Sequence, residues 1–239
     1  MSEKTIGILG GMGPEATIDL YYRIIKATPA CKDQDHIKTI IYSNPKIPDR
    51  TKAILREGRS PLPELLSTAS AIKRAGADFI IIPCNTAHYF INDLRKKIDI
   101  PIIHMINLTS TFLTVKYPFL KCIGLLATDG TIQTGIYHES FRNKDIKIIL
   151  PSEDKQKLVM SAIYDHIKLG KLESGKSILN SVSNDLIKLG GEILITGCTE
   201  ISLVLKNGDL TMPVLDPLQI LAEYAVDVAL QKIPFNLIN

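Results

Sequence analysis

A chain of 239 residues, 45% of them apolar, can bury one large core or two smaller ones without disulfide or metal staples. Its 28 Lys and Arg against 25 Asp and Glu leave a formal charge of +3, scattered along the chain and not gathered in a stripe, which argues against nucleic acid as a partner. No run reaches the ~18 apolar residues of a membrane span, the N-terminal segment does not make a secretory signal, and four cysteines without CxxC spacing make neither a disulfide framework nor a zinc ribbon; a cytoplasmic protein with reduced thiols is expected.

In chain order the elements come twice. Thr5–Leu9 is an apolar strand-like run, followed by a Gly-rich turn and a helical stripe from Pro14 through Thr17, Leu20, Tyr21, Ile24 and Ile25. Ile37–Ile41 is a second strand, Leu62, Leu65, Leu66, Ala69 and Ile72 mark a second helix, and Gly76–Cys84 contains a third strand. A helix after Thr86 ends in Arg95-Lys96-Lys97, which suits the negative end of its dipole. Ile100–His104 is the fourth strand, after which Cys122–Leu126, Ile146–Leu150, Gly190–Cys198 and Met212–Asp216 repeat the four in order, the third pair without a gap.

Short apolar runs of this kind, alternating with helices, predict an α/β fold of two similar three-layer lobes. Each lobe would hold a short parallel sheet flanked by helices, the two related by a pseudo-two-fold axis. The expected division is residues 1–102 plus 212–239 for the first lobe and 103–211 for the second, with a ligand bound between them at the carboxyl ends of the strands.

Cys84 and Cys198 fall at the same strand-to-helix junction of each repeat, as Cys84-Asn85-Thr86 and Cys198-Thr199-Glu200. A thiol near a helix start is expected to have a lowered pKa. Two such thiols on opposite faces of a tetrahedral carbon could remove a proton from one side and deliver one to the other. A free cysteine is more often a buried core residue, and that is the expectation for Cys31 and Cys122, which end no strand beside a helix start. A packing residue has no reason to recur at the same junction. A metal reading would join Cys84, His88 and Cys198, but it lacks a further nitrogen or carboxylate ligand. His88 is expected at a helix surface or core edge.

The segments Gly7–Thr17, Asn44–Arg50, Pro83–His88, Leu125–Thr128 and Gly197–Glu200 together resemble the aspartate/glutamate racemase family, most closely its aspartate racemase branch, over essentially the whole chain. The resemblance implies independence from pyridoxal phosphate and metals, a homodimer, a small amino dicarboxylate as substrate, and Cys84 and Cys198 as catalytic residues. It further implies that Arg50 and Lys168 are cations for the substrate, and that Met12, Asn85, Thr86, Thr128, Thr199 and Glu200 lie around it, Glu200 as a candidate acceptor for the ammonium. Arginine offers a bidentate fork to a carboxylate and lysine a point charge. The Gly10–Gly13 turn could present N–H groups to an anion. The expected activity is cofactor-independent interconversion of L- and D-aspartate, with glutamate a further candidate. Isomerisation or decarboxylation of a related dicarboxylic acid, and small-molecule binding without turnover, remain as alternatives.

Overall fold

The structure, a computed structural model, describes residues 3–234. Two compact units divide the chain: one runs to Thr109 and resumes at Leu218, and the other is Ser110–Pro217. In the first unit the elements are β1 (Ile6–Gly10), α1 (Pro14–Ala27), β2 (Thr39–Ser43), α2 (Arg50–Ile54), α3 (Leu62–Arg74), β3 (Phe79–Ile81) and α4 (Ile91–Arg95), after which α5 (Met105–Lys116) carries the chain onward. The second contains β4 (Cys122–Ala127), α6 (Asp129–Thr134), α7 (Ile136–Phe141), β5 (Lys147–Ile149), α8 (Glu153–Ser161), α9 (Leu172–Lys188), β6 (Ile193–Gly197), α10 (Thr199–Val204) and β7 (Val214–Leu215). Helix α11 (Pro217–Ala229) closes the described chain, and near its end Ala229 accepts from the Lys4 amide at 3.0 Å.

The sheets are parallel, in the orders β2-β1-β3 and β5-β4-β6-β7, and both are flanked by helices. This is the α/β architecture that the alternating pattern predicts. The repeat extends to the pairing register. Ile6 pairs with Thr39 and Phe79, while its counterpart Ile123 pairs with Ile148 and Ile193. Ile102 bridges Ile80 where Val214 pairs with Leu194, so the fourth strand of the first unit is reduced to one bridge. The Ile80 and Leu194 amides donate to the carbonyls of Pro101 and Pro213, at 2.8 and 2.9 Å. Because β7 pairs with β6, the chain leaves the second unit after that strand, a few residues beyond the 212 boundary read from the sequence.

Strands β1, β3 and β6 are buried along their length, which accounts for their unbroken apolar sequence. By contrast β2 is an edge strand, and its Ile41 and Tyr42 are exposed despite the apolar run they belong to. Helix α1 packs through Ala16, Thr17, Leu20 and Ile24, a narrower stripe than expected because Tyr21 faces solvent. The segment after Thr86 begins as a 3-10 turn, Thr86–Phe90, and becomes α-helical only at Ile91.

Each unit has its own apolar cluster. One gathers Leu65, Ala69, Ile72, Ile80, Ile82 and Leu94, the other Leu126, Leu179, Val182, Leu186, Leu194 and Ile201. Full burial of such an aliphatic side chain stabilises the fold by about 1.5–3 kcal/mol. Cys84 belongs to the first cluster and Cys198 to the second, so each thiol is anchored by the core of its own unit.

Candidate active site

In the first unit β3 delivers the chain through Ile82 and Pro83 to Cys84, whose amide turns back to the Ile82 carbonyl at 2.9 Å. The residue is only 6% exposed. Asn85 directly precedes the 3-10 turn that follows, and Asn85 and Thr86 are both buried. His88 is buried as well, at 2% exposure, and does not lie at the surface or core edge as expected; the tighter 3-10 turn carries it inward. Its Nδ1 lies 2.8 Å from the Cys84 carbonyl, and since a carbonyl only accepts, Nδ1 carries the hydrogen. The His88 ring meets that of His104 at 5.1 Å. Burial foremost holds both imidazoles neutral, with pKa values down to about 4 for His88 and about 3 for His104.

Met12 is buried in the same apolar cluster as Cys84. In the glycine turn beside it the Gly11 amide donates to Thr17 Oγ1 at 2.9 Å, and with φ at +95° a Cβ on Gly11 would lie 2.3 Å from the Asn44 backbone. Asp49 caps α2 by accepting from the Lys52 amide, and Arg50 begins that helix. The Arg50 guanidinium folds back so that Nη1 donates to the carbonyls of Ile47 and Pro48, at 3.3 and 3.1 Å.

In the second unit β6 runs directly into Cys198, which occupies the position before α10 and is 7% exposed. Its Sγ donates to Glu200 Oε2 at 3.0 Å, and Thr199 Oγ1 donates to the same oxygen at 3.2 Å. Lys168 Nζ stands 3.4 Å from Glu200 Oε1 and 4.6 Å from the centre of the Tyr164 ring. Lys168 sits on a 3-10 turn, Ile167–Leu169, that follows a π-helical turn, Ala162–His166. Helix α9 can press against this segment because Gly175 lacks a side chain; a Cβ there would lie 2.5 Å from Ile167. Thr128 caps α6, its Oγ1 accepting from the Thr131 amide at 3.3 Å.

The lowered thiol pKa expected from a helix start is corrected for Cys198. Burial and then the Glu200 carboxylate push this thiol well above the ordinary range, with Lys168 opposing. The helix it precedes has only six residues, too short to outweigh desolvation and a carboxylate in contact. The expected core burial of Cys31 and Cys122 is corrected too: Cys31 is exposed and Cys122 half-buried at the start of its strand. Neither ring nitrogen of His88 is hydrogen-bonded to a thiol, and among the described residues no three His, Cys, Asp or Glu side chains are arranged to hold a metal ion.

The sequence-derived residues thus fall in two sets, Met12, Arg50, Cys84, Asn85 and Thr86 in one unit and Thr128, Lys168, Cys198, Thr199 and Glu200 in the other. The structure adds residues that the motifs did not single out. Ser202, four after Cys198, donates to Asp216 at 2.8 Å, and buried Tyr137 on α7 has its hydroxyl pKa raised by burial and then by Asp216 and Cys198. The internal repeat carried a signal for one pair, since Ser202 and Asp216 align with His88 and His104.

A family model described as Asp/Glu/Hydantoin racemase matches residues 9–225. The chain belongs to the Asp/Glu/hydantoin racemase family. It is an enzyme of the amino-acid racemase type, an isomerase outside the pyridoxal-phosphate class. It is 26% identical to the broad specificity amino-acid racemase RacX of Bacillus subtilis, over 94% of this chain and 98% of the relative. The aspartate racemase of Picrophilus torridus superposes with a TM-score of 0.86 at 29% identity, covering 95% of this chain and 94% of that one. A glutamate racemase from Francisella tularensis, solved with D-glutamate, shares the fold at 17% identity and a TM-score of 0.69, over 97% and 83% of the two chains. Among the described residues of this racemase no helix is long and apolar enough to cross a membrane.

Proposed function

We propose that this racemase interconverts L- and D-aspartate by a two-base mechanism in which Cys84 and Cys198 each attend one face of the α-carbon. In one direction Cys84, as thiolate, takes the α-proton; the Cα–H bond breaks and an S–H bond forms. The Cys198 S–H bond breaks as its proton goes to the opposite face, giving the other enantiomer. The charge that develops on the α-carboxylate is met by donors from the residues beside the thiols, Asn85, Thr86, Thr128 and Thr199, each worth about 3 kcal/mol by analogy with oxyanion holes. Arg50 and Lys168 supply the cations that a dicarboxylate requires. A cytoplasmic setting, which keeps both thiols reduced, and a homodimer complete the proposal.

The observation that carries it is the equivalence of the two thiols: each follows the third strand of its sheet, in matched register, at the start of a helical turn. Core packing alone gives no reason for that coincidence, and a binding protein has no need of two acid/base groups. The test is chiral chromatography of L-aspartate, and separately L-glutamate, after incubation with dialysed, reduced protein and no added cofactor. D-aspartate should appear. D-glutamate alone would move the substrate assignment, and no D-enantiomer from either with both thiols reduced would overturn the proposal.

A further inference from the structure

The internal repeat makes the two thiol junctions comparable residue by residue, and one difference bears on the direction of proton flow. The second residue after Cys84 is Thr86, whereas the second after Cys198 is Glu200. Among the described residues, a carboxylate stands against the sulfur at the second junction only, with Cys198 Sγ donating to Glu200 Oε2 at 3.0 Å. That carboxylate is itself held. Thr199 donates to the same oxygen and Lys168 faces the other at 3.4 Å, while the side chain keeps an 11% exposed edge.

Resting on the racemase reading above, we propose that Glu200 is the proton partner of Cys198, keeping this thiol loaded as the acid of the resting enzyme and reloading it after each delivery. The protons balance as follows. Cys198 gives its hydrogen to the α-carbon and becomes a thiolate 3.0 Å from a carboxylate, an arrangement of two like charges that the single Lys168 cannot neutralise. Glu200 then takes a proton from solvent at its exposed edge and passes it to Sγ, while Cys84 releases to solvent the proton it took from the substrate. No other reactant is needed. Cys84 has a hydroxyl, that of Thr86, at the matching position, so the repeat assigns unequal starting roles to two otherwise equivalent thiols.

Burial and Glu200 hold the Cys198 proton in place, and Lys168 opposes them. Of the other ionisable groups, Tyr137 on α7 is close enough to sense the sulfur, and Asp216 lies close to Tyr137. The effects of Glu200 and Lys168 have opposite signs, which makes the inference testable without turnover. The ultraviolet absorbance of the thiolate is followed against pH as the difference between each protein and its own Cys198→Ser counterpart. Glu200→Gln should bring the Cys198 midpoint down by about one pH unit or more, Glu200→Asp should fall between, and Lys168→Met should raise it. An unmoved or raised midpoint in Glu200→Gln would overturn the inference, and this readout stands even if the chain proves not to racemise aspartate. In the racemisation assay Glu200→Gln should lower kcat and move the alkaline limb of its pH profile to lower pH, with KM for aspartate little changed and part of kcat restored in Glu200→Asp. A raised KM with kcat and its pH profile retained would instead make Glu200 a substrate-ammonium acceptor and overturn the assignment.

Discussion

In the first unit the residue four after the cysteine is His88, which meets His104 just before α5; in the second the same two positions hold Ser202 and Asp216, just before α11. Both pairs tie the turn after the thiol to the end of the fourth strand, one through neutral rings and the other through a hydroxyl donating to a carboxylate. The backbone plan is shared down to paired capping contacts: the Thr5 and Cys122 amides donate to the carboxylates of Asp78 and Glu192, at 2.6 and 2.8 Å. What differs is the charge around the two junctions, neutral imidazoles at one, where His88 meets the Cys84 carbonyl, and a Lys168–Glu200 pair at the other. A duplicated fold can thus fix the positions of two like groups through its backbone and leave their protonation to a few side chains.

The largest effect that would test the matched plan is loss of either thiol. Cys84→Ala and Cys198→Ala should each reduce racemisation by about 10²–10⁴-fold, the usual contribution of a positioned acid or base. Full activity in either variant would break the equivalence and the two-base mechanism with it.

Packing gives the next test. Gly7 and Gly124 occupy the same position of β1 and β4, but a Cβ on Gly7 would lie 2.4 Å from Ile72 and 2.9 Å from Ala77, while one on Gly124 would lie 3.2 Å from Leu186 and Leu194. Gly7→Ala should therefore destabilise by about 1–3 kcal/mol and Gly124→Ala by clearly less, since the ends of flexible leucines can give way. Denaturant unfolding midpoints measure the difference, and equal losses would contradict the packing described.

A smaller effect concerns acid. His88 and His104 have folded-state pKa values below those of the unfolded chain, so the unfolded state binds more protons as pH falls and stability is lost from about pH 6.5 downward, levelling off only below about 4 and about 3. The substitution His104→Asn removes one titrating ring and keeps an acceptor for the Asn107 amide, which His104 Nδ1 now meets at 3.3 Å. It should flatten the acid slope of stability, and a slope unchanged from the parent would show that the ring does not titrate as described.

The repeat, the strands and the two cysteine junctions were legible because they depend on local apolar pattern and on gapless self-similarity, and the register of Ile6 and Ile123 follows the same alignment. The burial of His88 was not, because it depends on a 3-10 turn and not on the 3.6-residue period of an α-helix. Nor was the exposure of Ile41 and Tyr42, since an apolar run does not say which strand ends up at the edge of a sheet. The contact between Cys198 and Glu200 lay two residues apart in the sequence, yet a side-chain rotamer decides whether the carboxylate meets the thiol or the solvent. Lys168 was legible only through resemblance, because its place beside Glu200 is set by consecutive π-helical and 3-10 turns that no simple period describes.

The most direct test of two bases is racemisation of L-aspartate in heavy water, with the hydrogen at Cα of both enantiomers read early in the reaction by mass spectrometry. Two thiols acting on opposite faces predict deuterium in the D-aspartate formed and protium retained in the L-aspartate that remains. Protium carried over into the product, or deuterium entering the recovered L-aspartate as fast as product forms, would contradict the account.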